Sequence, residues 1–587
     1  MMRPDPGHIV VLKKPASIAI AVFVVSFALQ IQHIAQAGWG AELLSSYPVS
    51  DAFYYMQAAW YRAFMEPDGG YMGSFIPFSP YVRLLTAGFT LLGPGSATPF
   101  LVNALLMSGA AVFTALIALR LFGPAAAWLA GCGFVLSALV VFFAGLTVKT
   151  NAELFFIAGS SYFFIRFLDV AGLWRFFLSL LFLGLALIDR NNYAVALLPY
   201  AVLAWQYGFP GQGWAVRLRA MTFAGLAALV LVASVSGWQL DSVEQPFFSP
   251  VGLNFYVGNS PNSRGTYTVV SGLRDDIEGH FLNSRGFVES RVGRPLSRGE
   301  VSQFWFKRSW DYYRQHPLEY LGLQGRKALL LVAAESYGLP EQLAVAKERR
   351  PSMILAPVSY SLVLALALAT LVCTRAWREK PQARVLVYAL LGYTISIWVF
   401  FIGERYRLPI FMLLLPFAAN TIIHLWQVRG WSRRLPVLLV VLLVLLGSHA
   451  SLRVLDTGPG WAERPQEAAA IEREQYPELK RFHRAQRAAI LHDDADSWHE
   501  LASYALRRKF LSDAQVYAEK AISTAPDSVA SYRILADVYH LRQDRASLET
   551  LAAQVAMFDA ADVSGKWDST REFIELMLAT PAKNEEG

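Results

Sequence analysis

Charged residues are scarce in this sequence. They make up 17% of its 587 residues, whereas 55% of the residues are hydrophobic; soluble proteins carry about 25% charged residues. Cysteine is scarce too, since only Cys132 and Cys373 occur, both in apolar blocks, where a small buried hydrophobic side chain is expected. Two cysteines exclude a disulfide framework and a cysteine-based metal site. The composition is that of a membrane protein.

Two kinds of motif are also absent. No G-x-x-x-x-G-K-[ST] phosphate loop occurs, which argues against a nucleotide-driven pump on this chain. No histidines and cysteines stand at metal-ligand spacing, so the sequence predicts no metal site and leaves the cofactor unknown, with a divalent metal still possible. The net charge of +7 comes in large part from Lys and Arg beside apolar blocks, which indicates lipid headgroups rather than nucleic acid as the partner.

Long apolar runs are abundant. A helix that crosses a membrane needs about 20 mostly apolar residues, because only a helix satisfies its own backbone in lipid. The runs predict an all-α, polytopic helical bundle, and the segment 79–93 is predicted to be a shorter interfacial helix. The predicted spans, about eleven in number, are 16–36, 97–121, 124–144, 151–168, 173–190, 193–208, 220–238, 352–374, 385–402, 408–427 and 435–451.

The basic residues predict the orientation of these spans. Lys13 and Lys14 place the N-terminus in the cytoplasm, and the first run is expected to be a retained span rather than a cleaved signal peptide. Alternating crossings place the loops 37–96 and 239–350 outside a bacterial-type inner membrane, together with the region after 452. By the positive-inside rule, Lys and Arg beside spans collect on the cytoplasmic side. Basic residues at the outer ends of spans oppose this rule, and binding of an anionic group is one reason for them. These residues are Lys149, Arg190, Arg405 and Arg407.

Asp51 is the first candidate for chemistry. It precedes Phe53, Met56, Trp60 and Phe64, which recur at three- and four-residue steps and predict one apolar helical stripe. An aspartate in this place most often caps its helix. At a membrane surface it is also a candidate general base, which takes a proton from an acceptor as the acceptor attacks a sugar carbon. The spacing alone leaves both roles open.

Further candidates lie near other span ends. Arg405, Tyr406 and Arg407 open a late span, and two guanidinium groups suit a phosphate, although headgroup anchoring explains them too. Lys149 precedes an earlier span, and Glu153 opens it. The helix dipole is a sufficient reason for an acid at that position; the functional alternative is that Glu153 faces the same cavity as Asp51.

Three more polar residues are weaker candidates. Arg83 lies in the predicted interfacial helix and is expected to reach lipid headgroups. Asn259 and Arg264 belong to the Gly- and Asn-rich segment 254–267, a composition that turns require and that could equally place amides and a guanidinium against a sugar.

The C-terminal region has the composition of a helical module. Trp498 and Tyr532 lie 34 positions apart, the tetratricopeptide period, and small alanines follow each at matching positions. A generic helical hairpin is the alternative. We expect a periplasmic tetratricopeptide-like domain over 453–587 that binds a peptide or protein, with the stretch 463–492 as its cap.

The order of features resembles the GT-C superfamily of integral membrane glycosyltransferases, which includes the protein O-mannosyltransferases and the lipid A aminoarabinose transferase. The resemblance covers about 15–450, the predicted membrane domain being 1–452. Its features are an acid before an aromatic helix at Asp51–Tyr55, a Pro-led interfacial helix ending at Leu91-Leu92-Gly93, the Arg190-Asn191 pair after an apolar run, and Arg405–Pro409 at the start of a late span.

The resemblance implies a polyprenyl-phosphate-linked sugar as donor and an inverting transfer to an extracytoplasmic acceptor, either protein, lipid or glycan. It gives Asp51 the role of general base and places Arg405 and Arg407 near the lipid phosphate. Many members of the superfamily carry adjacent acids in the first loop, whereas Ala52 follows Asp51 here, so a metal held by such a pair is in doubt.

Two other classes of function stay open. A transporter or polymer-export component predicts ionisable residues in mid-span, of which these spans have few. A non-enzymatic scaffold that tethers the repeats predicts that charges in the outer loops can be replaced freely.

Overall fold

A computed structural model describes thirteen parts of the chain. They are residues 14–36, 51–65, 76, 78–236, 251–268, 270, 272–273, 280, 283–334, 356–455, 481–482, 484–561 and 565–579. The predicted loops 37–96 and 239–350 and the predicted cap 463–492 lie partly outside these residues. Within the described residues the regular structure is helical, apart from one isolated bridge between Ser137 and Pro357. The prediction of an all-α chain is confirmed.

The helices follow the apolar runs closely. Helices α1 to α6 are Pro15–Gln36, Asp51–Phe64, Pro80–Leu92, Thr98–Phe122, Pro124–Val135 and Ala138–Ala144. Helices α7 to α10 are Thr150–Asp169, Leu173–Asp189, Leu197–Leu203 and Trp214–Ser236, with a 3₁₀ segment at Asn191–Ala196 and a π segment at Ala204–Gly208. Helices α11 to α14 are Val251–Asn259, Ser284–Val292, Arg298–Gln315 and Pro317–Val332. Helices α15 to α19 are Tyr360–Cys373, Ala376–Glu379, Pro381–Val399, Glu404–Gln427 and Trp431–Leu455.

Six of the described helices are long and apolar enough to cross a membrane, namely α1, α4, α10, α17, α18 and α19. Two predicted spans are broken instead. The run 124–144 divides into α5 and α6 at Leu136, whose carbonyl accepts a hydrogen bond from the Val358 amide at 3.0 Å. The run 193–208 forms 3₁₀, α and π pieces, and Pro199 lies within it, where it cannot donate a helical hydrogen bond.

The burial pattern shows which helices face lipid. Helices α4 and α18 pack against each other and against α5 and α7 in the centre of the bundle, and 67% and 72% of their apolar segments are buried. Only 17% of the apolar segments of α10 and α19 is buried. Side chains such as Phe223, Val230 and Leu443 therefore form large exposed apolar faces, which water does not tolerate. The chain is a multi-pass membrane protein.

A buried polar cluster fixes the turn between α17 and α18. Lys327 Nζ donates to Asn259 Oδ1 at 2.8 Å and to the Phe400 carbonyl at 2.6 Å, while Asn259 Nδ2 donates to the Val399 carbonyl at 2.9 Å. Gly258 permits this approach, because a Cβ there would lie 1.9 Å from the Phe400 oxygen. The cluster satisfies the last carbonyls of α17 and so sets the start of α18.

Among the described residues of the C-terminal region, 484–492 are helical and are followed by helices α20 to α24. Helices α20 to α24 are Ala495–Arg507, Leu511–Thr524, Val529–Leu541, Arg545–Ala561 and Asp568–Ala579. The first two begin 34 residues before the next two, and each helix packs on its neighbour. This offset is the tetratricopeptide period; the assignment to that repeat class and the domain boundary at 453 stay predictions.

Candidate functional site

Asp51 and Arg405 form an ion pair between the first residue of α2 and the first turn of α18. Arg405 Nη1 lies 2.6 Å from Asp51 Oδ2, although the two residues are 354 positions apart. The side chains keep 32% and 30% of their surface exposed, so a ligand can reach both. The Ala52 carbonyl accepts a hydrogen bond from Thr147 Oγ1 at 3.1 Å, which ties the start of α2 to the segment before α7.

Tyr406 lies between two guanidinium groups. The Arg405 guanidinium lies 5.2 Å from the centre of its ring and that of Arg190 lies 4.3 Å away. Arg405 Nη2 also donates to the Tyr406 hydroxyl at 3.3 Å. An aromatic face attracts cations, so the ring holds together two positive groups that otherwise repel each other. Arg190, at the C-terminal end of α8, is therefore the second arginine of the site.

Glu153 balances the charge of Arg190 in the interior. Arg190 Nε lies 2.8 Å from Glu153 Oε2, and the two side chains are 6% and 0% exposed. Tyr193 approaches the same oxygen at 3.5 Å and stacks on Tyr393 with ring centres 5.0 Å apart. Glu153 Oε1 and the Thr150 hydroxyl are buried and lack a hydrogen-bond partner among the described residues.

Lys149 lies at the other edge of this cluster. Its Nζ donates to the Asp189 carbonyl at 2.5 Å, at the end of α8. The Asp189 carboxylate accepts from Ser79 Oγ at 2.5 Å and from the Tyr81 amide at 3.2 Å, and so caps the start of α3. This network fixes α3 and α8 to each other and leaves Lys149 as a positive group near Asp51.

The positive surroundings keep Asp51 ionised. Burial raises the pKa of the Asp51 carboxyl, but the Arg405 guanidinium lowers it, and Lys149 and His280 lower it further. The net result is a pKa below the ordinary value for aspartate. A carboxylate in this state can accept a proton at neutral pH once its contact with Arg405 loosens.

Arg407 does not join Arg405. Its guanidinium is 1% exposed, pairs with Glu404 at 3.0 Å and donates to the Ala333 carbonyl, the residue that follows α14. It also lies 3.9 Å from the centre of the Tyr360 ring. Residues two apart on a helix point in different directions, so the two arginines of the motif separate. Arg407 holds the helix start in place, whereas the sequence suggested a phosphate ligand.

The contacts described for Asn259 and Arg264 do not include Asp51. Asn259 is fully buried in the cluster with Lys327, where the described neighbours use its amide. Arg264 lines a separate cavity of about 450 Å³ together with Tyr313, Glu319 and Arg326. Arg83 is half-buried on the first turn of α3, the helix that packs along α2, and its side chain stays a candidate.

The described residues contain no group of three or more His, Cys, Asp or Glu side chains that could hold a metal ion. Arg405 and Lys149 are positive groups beside Asp51, and they suit an anionic ligand.

The sequence anticipated only part of this site. Asp51, Arg405, Tyr406, Lys149 and Glu153 are close together in the structure. Sequence reasoning named Arg190 among the basic residues at outer span ends that could bind an anionic group, but did not place it among the site residues. The roles of Asp189, Ser79, Tyr193 and Tyr393 carried no such signal, because each depends on a contact across the bundle.

We compared the chain with protein families, curated proteins and solved structures. No family model matches the chain, and no curated protein matches it. Among solved structures, the crystal structure of ArnT from Cupriavidus metallidurans bound to undecaprenyl phosphate aligns with 97% of this chain and 86% of that chain, at 12% identity and a TM-score of 0.36. Similarity at this level does not establish a common fold.

Proposed function

We propose that this protein is a membrane glycosyltransferase that transfers a sugar from a polyprenyl phosphate carrier to an extracytoplasmic acceptor. The observation that carries the proposal is the reachable pair of Asp51 and Arg405 at 2.6 Å, with Arg190 held beside it by Tyr406. A carboxylate next to two guanidinium groups, at one end of a bundle of apolar helices, suits a reaction between a lipid phosphate and a nucleophile that must lose a proton.

The chemistry assigns one role to each charge. The acceptor oxygen or nitrogen attacks the anomeric carbon from the face opposite the phosphate, so the carbon–oxygen bond to the phosphate breaks and the configuration inverts. Asp51 takes the proton that the acceptor loses. Arg405 stabilises the negative charge that develops on the leaving polyprenyl phosphate, and Arg190 adds to the positive field.

The ion pair also suggests an order of events. Arg405 neutralises Asp51 in this structure, and a guanidinium has donors enough to serve a phosphate and a carboxylate in turn. A donor phosphate that recruits Arg405 weakens its contact with Asp51 and makes the carboxylate a stronger base. Proton acceptance is then favoured when the donor is present.

The remaining residues of the cluster support the two guanidinium groups. Glu153 is fully buried against Arg190 and holds that guanidinium beside Tyr406. Lys149 and Arg83 are further candidates for contact with the donor. The acceptor, in this proposal, reaches the site from the side that holds the loops 37–96 and 239–350 and the C-terminal helices.

Identifying the lipid that co-purifies with the protein tests whether the sugar donor is a polyprenyl phosphate derivative. Because a site of two guanidinium groups beside an apolar bundle retains anionic lipids, we expect mass spectrometry of the purified protein to detect polyprenyl phosphate or its glycosylated form. The Arg405→Gln variant should retain less than the wild type, and Arg545→Gln, which alters an exposed ion pair in α23, should retain as much. Equal retention by all three proteins would contradict a phosphate site at Arg405.

The pH dependence of the Arg405→Gln variant tests whether Asp51 is the general base. In the wild type Arg405 helps to lower the pKa of Asp51, so proton acceptance persists to acidic pH. Without the guanidinium, burial raises this pKa, and the acidic limb of the kcat/KM profile should move to higher pH. The rate above that limb should fall about 10- to 100-fold, since a charge-assisted hydrogen bond to the phosphate is lost. An unshifted acidic limb would remove Asp51 as the titrating group.

A further inference from the structure

The helix that carries Asp51 is covered on two sides. Phe64 and Tyr55 of α2 face α3, where Tyr55 meets Tyr81 with ring centres 5.8 Å apart. The residues Phe53, Gln57, Trp60 and Tyr61 recur at steps of three and four and form a second face. This second face lies against the C-terminal helices, which explains why α2 is buried all round from Phe53 to Tyr61 where the sequence predicted a single apolar stripe.

The contact nearest to the site is aromatic. Phe53, two residues after Asp51, stacks on Phe510 with ring centres 5.6 Å apart and planes inclined by 21°. It also meets Phe482 at 6.2 Å. Phe510 is the N-cap residue of α21, and it is 3% exposed.

The contact continues along the helix. Gln486 Nε2 donates to Gln57 Oε1 at 3.0 Å in a buried hydrogen bond between residues 429 positions apart. Tyr517 of α21 then lies 6.4 Å from Trp60 and 5.6 Å from Tyr61, measured between ring centres. The contacts thus extend over at least two turns of the 14-residue helix.

We propose that the C-terminal helices are a positioning element for Asp51, with Phe510 as the principal positioning residue. The inference rests on the proposed function, because it assigns these helices a part in that reaction. A helix of this length is marginal by itself, so its place depends on what packs against it. Stacked aromatic pairs add to the stability of such packing. Since the pair Phe53–Phe510 lies within one turn of Asp51, a change there displaces the carboxylate from its place beside Arg405.

The test compares three variants of the full chain in lipid nanodiscs. Phe510→Ala should lower kcat about 10- to 100-fold, because small displacements of a catalytic group have effects of this size. The KM for the lipid donor should change less than about threefold, since Arg405 and Arg190 stay in place. Phe510→Leu, which keeps most of the apolar contact, should recover most of the activity.

Hydrogen exchange provides a readout that does not depend on transfer. In Phe510→Ala the amides of 51–64 should exchange faster than in the wild type. The control is Tyr532→Ala, which removes a buried aromatic ring that packs on Phe558 and Trp567 within the same helices. Its exchange over 51–64 should match that of the wild type.

Two results would overturn the inference that Phe510 positions α2. Wild-type kcat and wild-type exchange in Phe510→Ala would overturn the inference, and so would equal acceleration of exchange over 51–64 by Phe510→Ala and Tyr532→Ala. A wild type with no transferase activity, combined with faster exchange in Phe510→Ala alone, would contradict the proposed function while supporting the positioning of α2 by Phe510.

Discussion

The Asp51→Asn variant should transfer sugar about 10² to 10⁴ times more slowly than the wild type, the range expected when a general base is lost. Asparagine keeps the shape of the side chain and can still accept a hydrogen bond from Arg405 through its carbonyl oxygen. It cannot take a proton from the acceptor. The loss should therefore appear in kcat, and the donor KM should stay within about threefold of the wild-type value. Steady-state transfer from a polyprenyl-phosphate-linked sugar measures both.

The matched control is Asp527→Asn, the same chemical change at an exposed residue that pairs with Lys566 at 2.8 Å. An exposed ion pair contributes little, so stability and transfer should both be unchanged. Near-normal turnover of a well-folded Asp51→Asn protein would remove Asp51 from the mechanism. The ion pair with Arg405 would then be a structural contact between α2 and α18.

The Arg407→Leu variant should lose about 3–5 kcal/mol of stability, since one partner of a buried ion pair is removed and the other is left behind. Glu404 is 2% exposed at its side chain and has Arg407 as its ionic partner at 3.0 Å. The midpoint of thermal unfolding in detergent measures the loss. The double variant Glu404→Gln/Arg407→Leu should be more stable than Arg407→Leu, because it no longer buries a carboxylate that has lost its ion pair with Arg407.

The Arg405→Leu variant is the comparison for Arg407→Leu, because Arg405 and Arg407 are close in sequence but differ in burial. Arg405 is 32% exposed and its removal should lower the unfolding midpoint less than that of Arg407. It should reduce transfer far more in protein that remains folded. A stable Arg407→Leu protein with strongly reduced transfer would reverse this assignment and return Arg407 to the site.

Local sequence patterns were sufficient to predict where the helices lie, but they did not predict several contacts between distant residues. Apolar runs predicted where helices occur, since length and hydropathy are properties of consecutive residues. They did not predict the break at Leu136, whose carbonyl accepts a hydrogen bond from the Val358 amide across the bundle. Likewise, the residues Arg405 and Arg407 look equivalent in the sequence. Only the helical turn and the position of Glu404 direct them to different surroundings.

The burial of α2 was also predicted only in part from the sequence. Phe53, Met56 and Trp60 predicted an apolar stripe, because their spacing fits one face of a helix. The second face of α2 is covered by Phe482, Phe510 and Tyr517, more than 400 positions later, and no local pattern relates them to Asp51. Sequence reasoning accordingly treated the C-terminal helices as a separate module.

The sequence by itself determined that this is an all-helical membrane protein, that basic residues stand at unusual span ends, and that its C-terminal helices recur every 34 residues, because each of these follows from residue type and spacing along the chain. The tertiary structure decided which charges meet. Asp51 pairs with Arg405, Arg190 replaces Arg407 as the second guanidinium, and the C-terminal helices pack against the helix of Asp51. Such pairings depend on distances between residues hundreds of positions apart, and these distances exist only once the helices have packed.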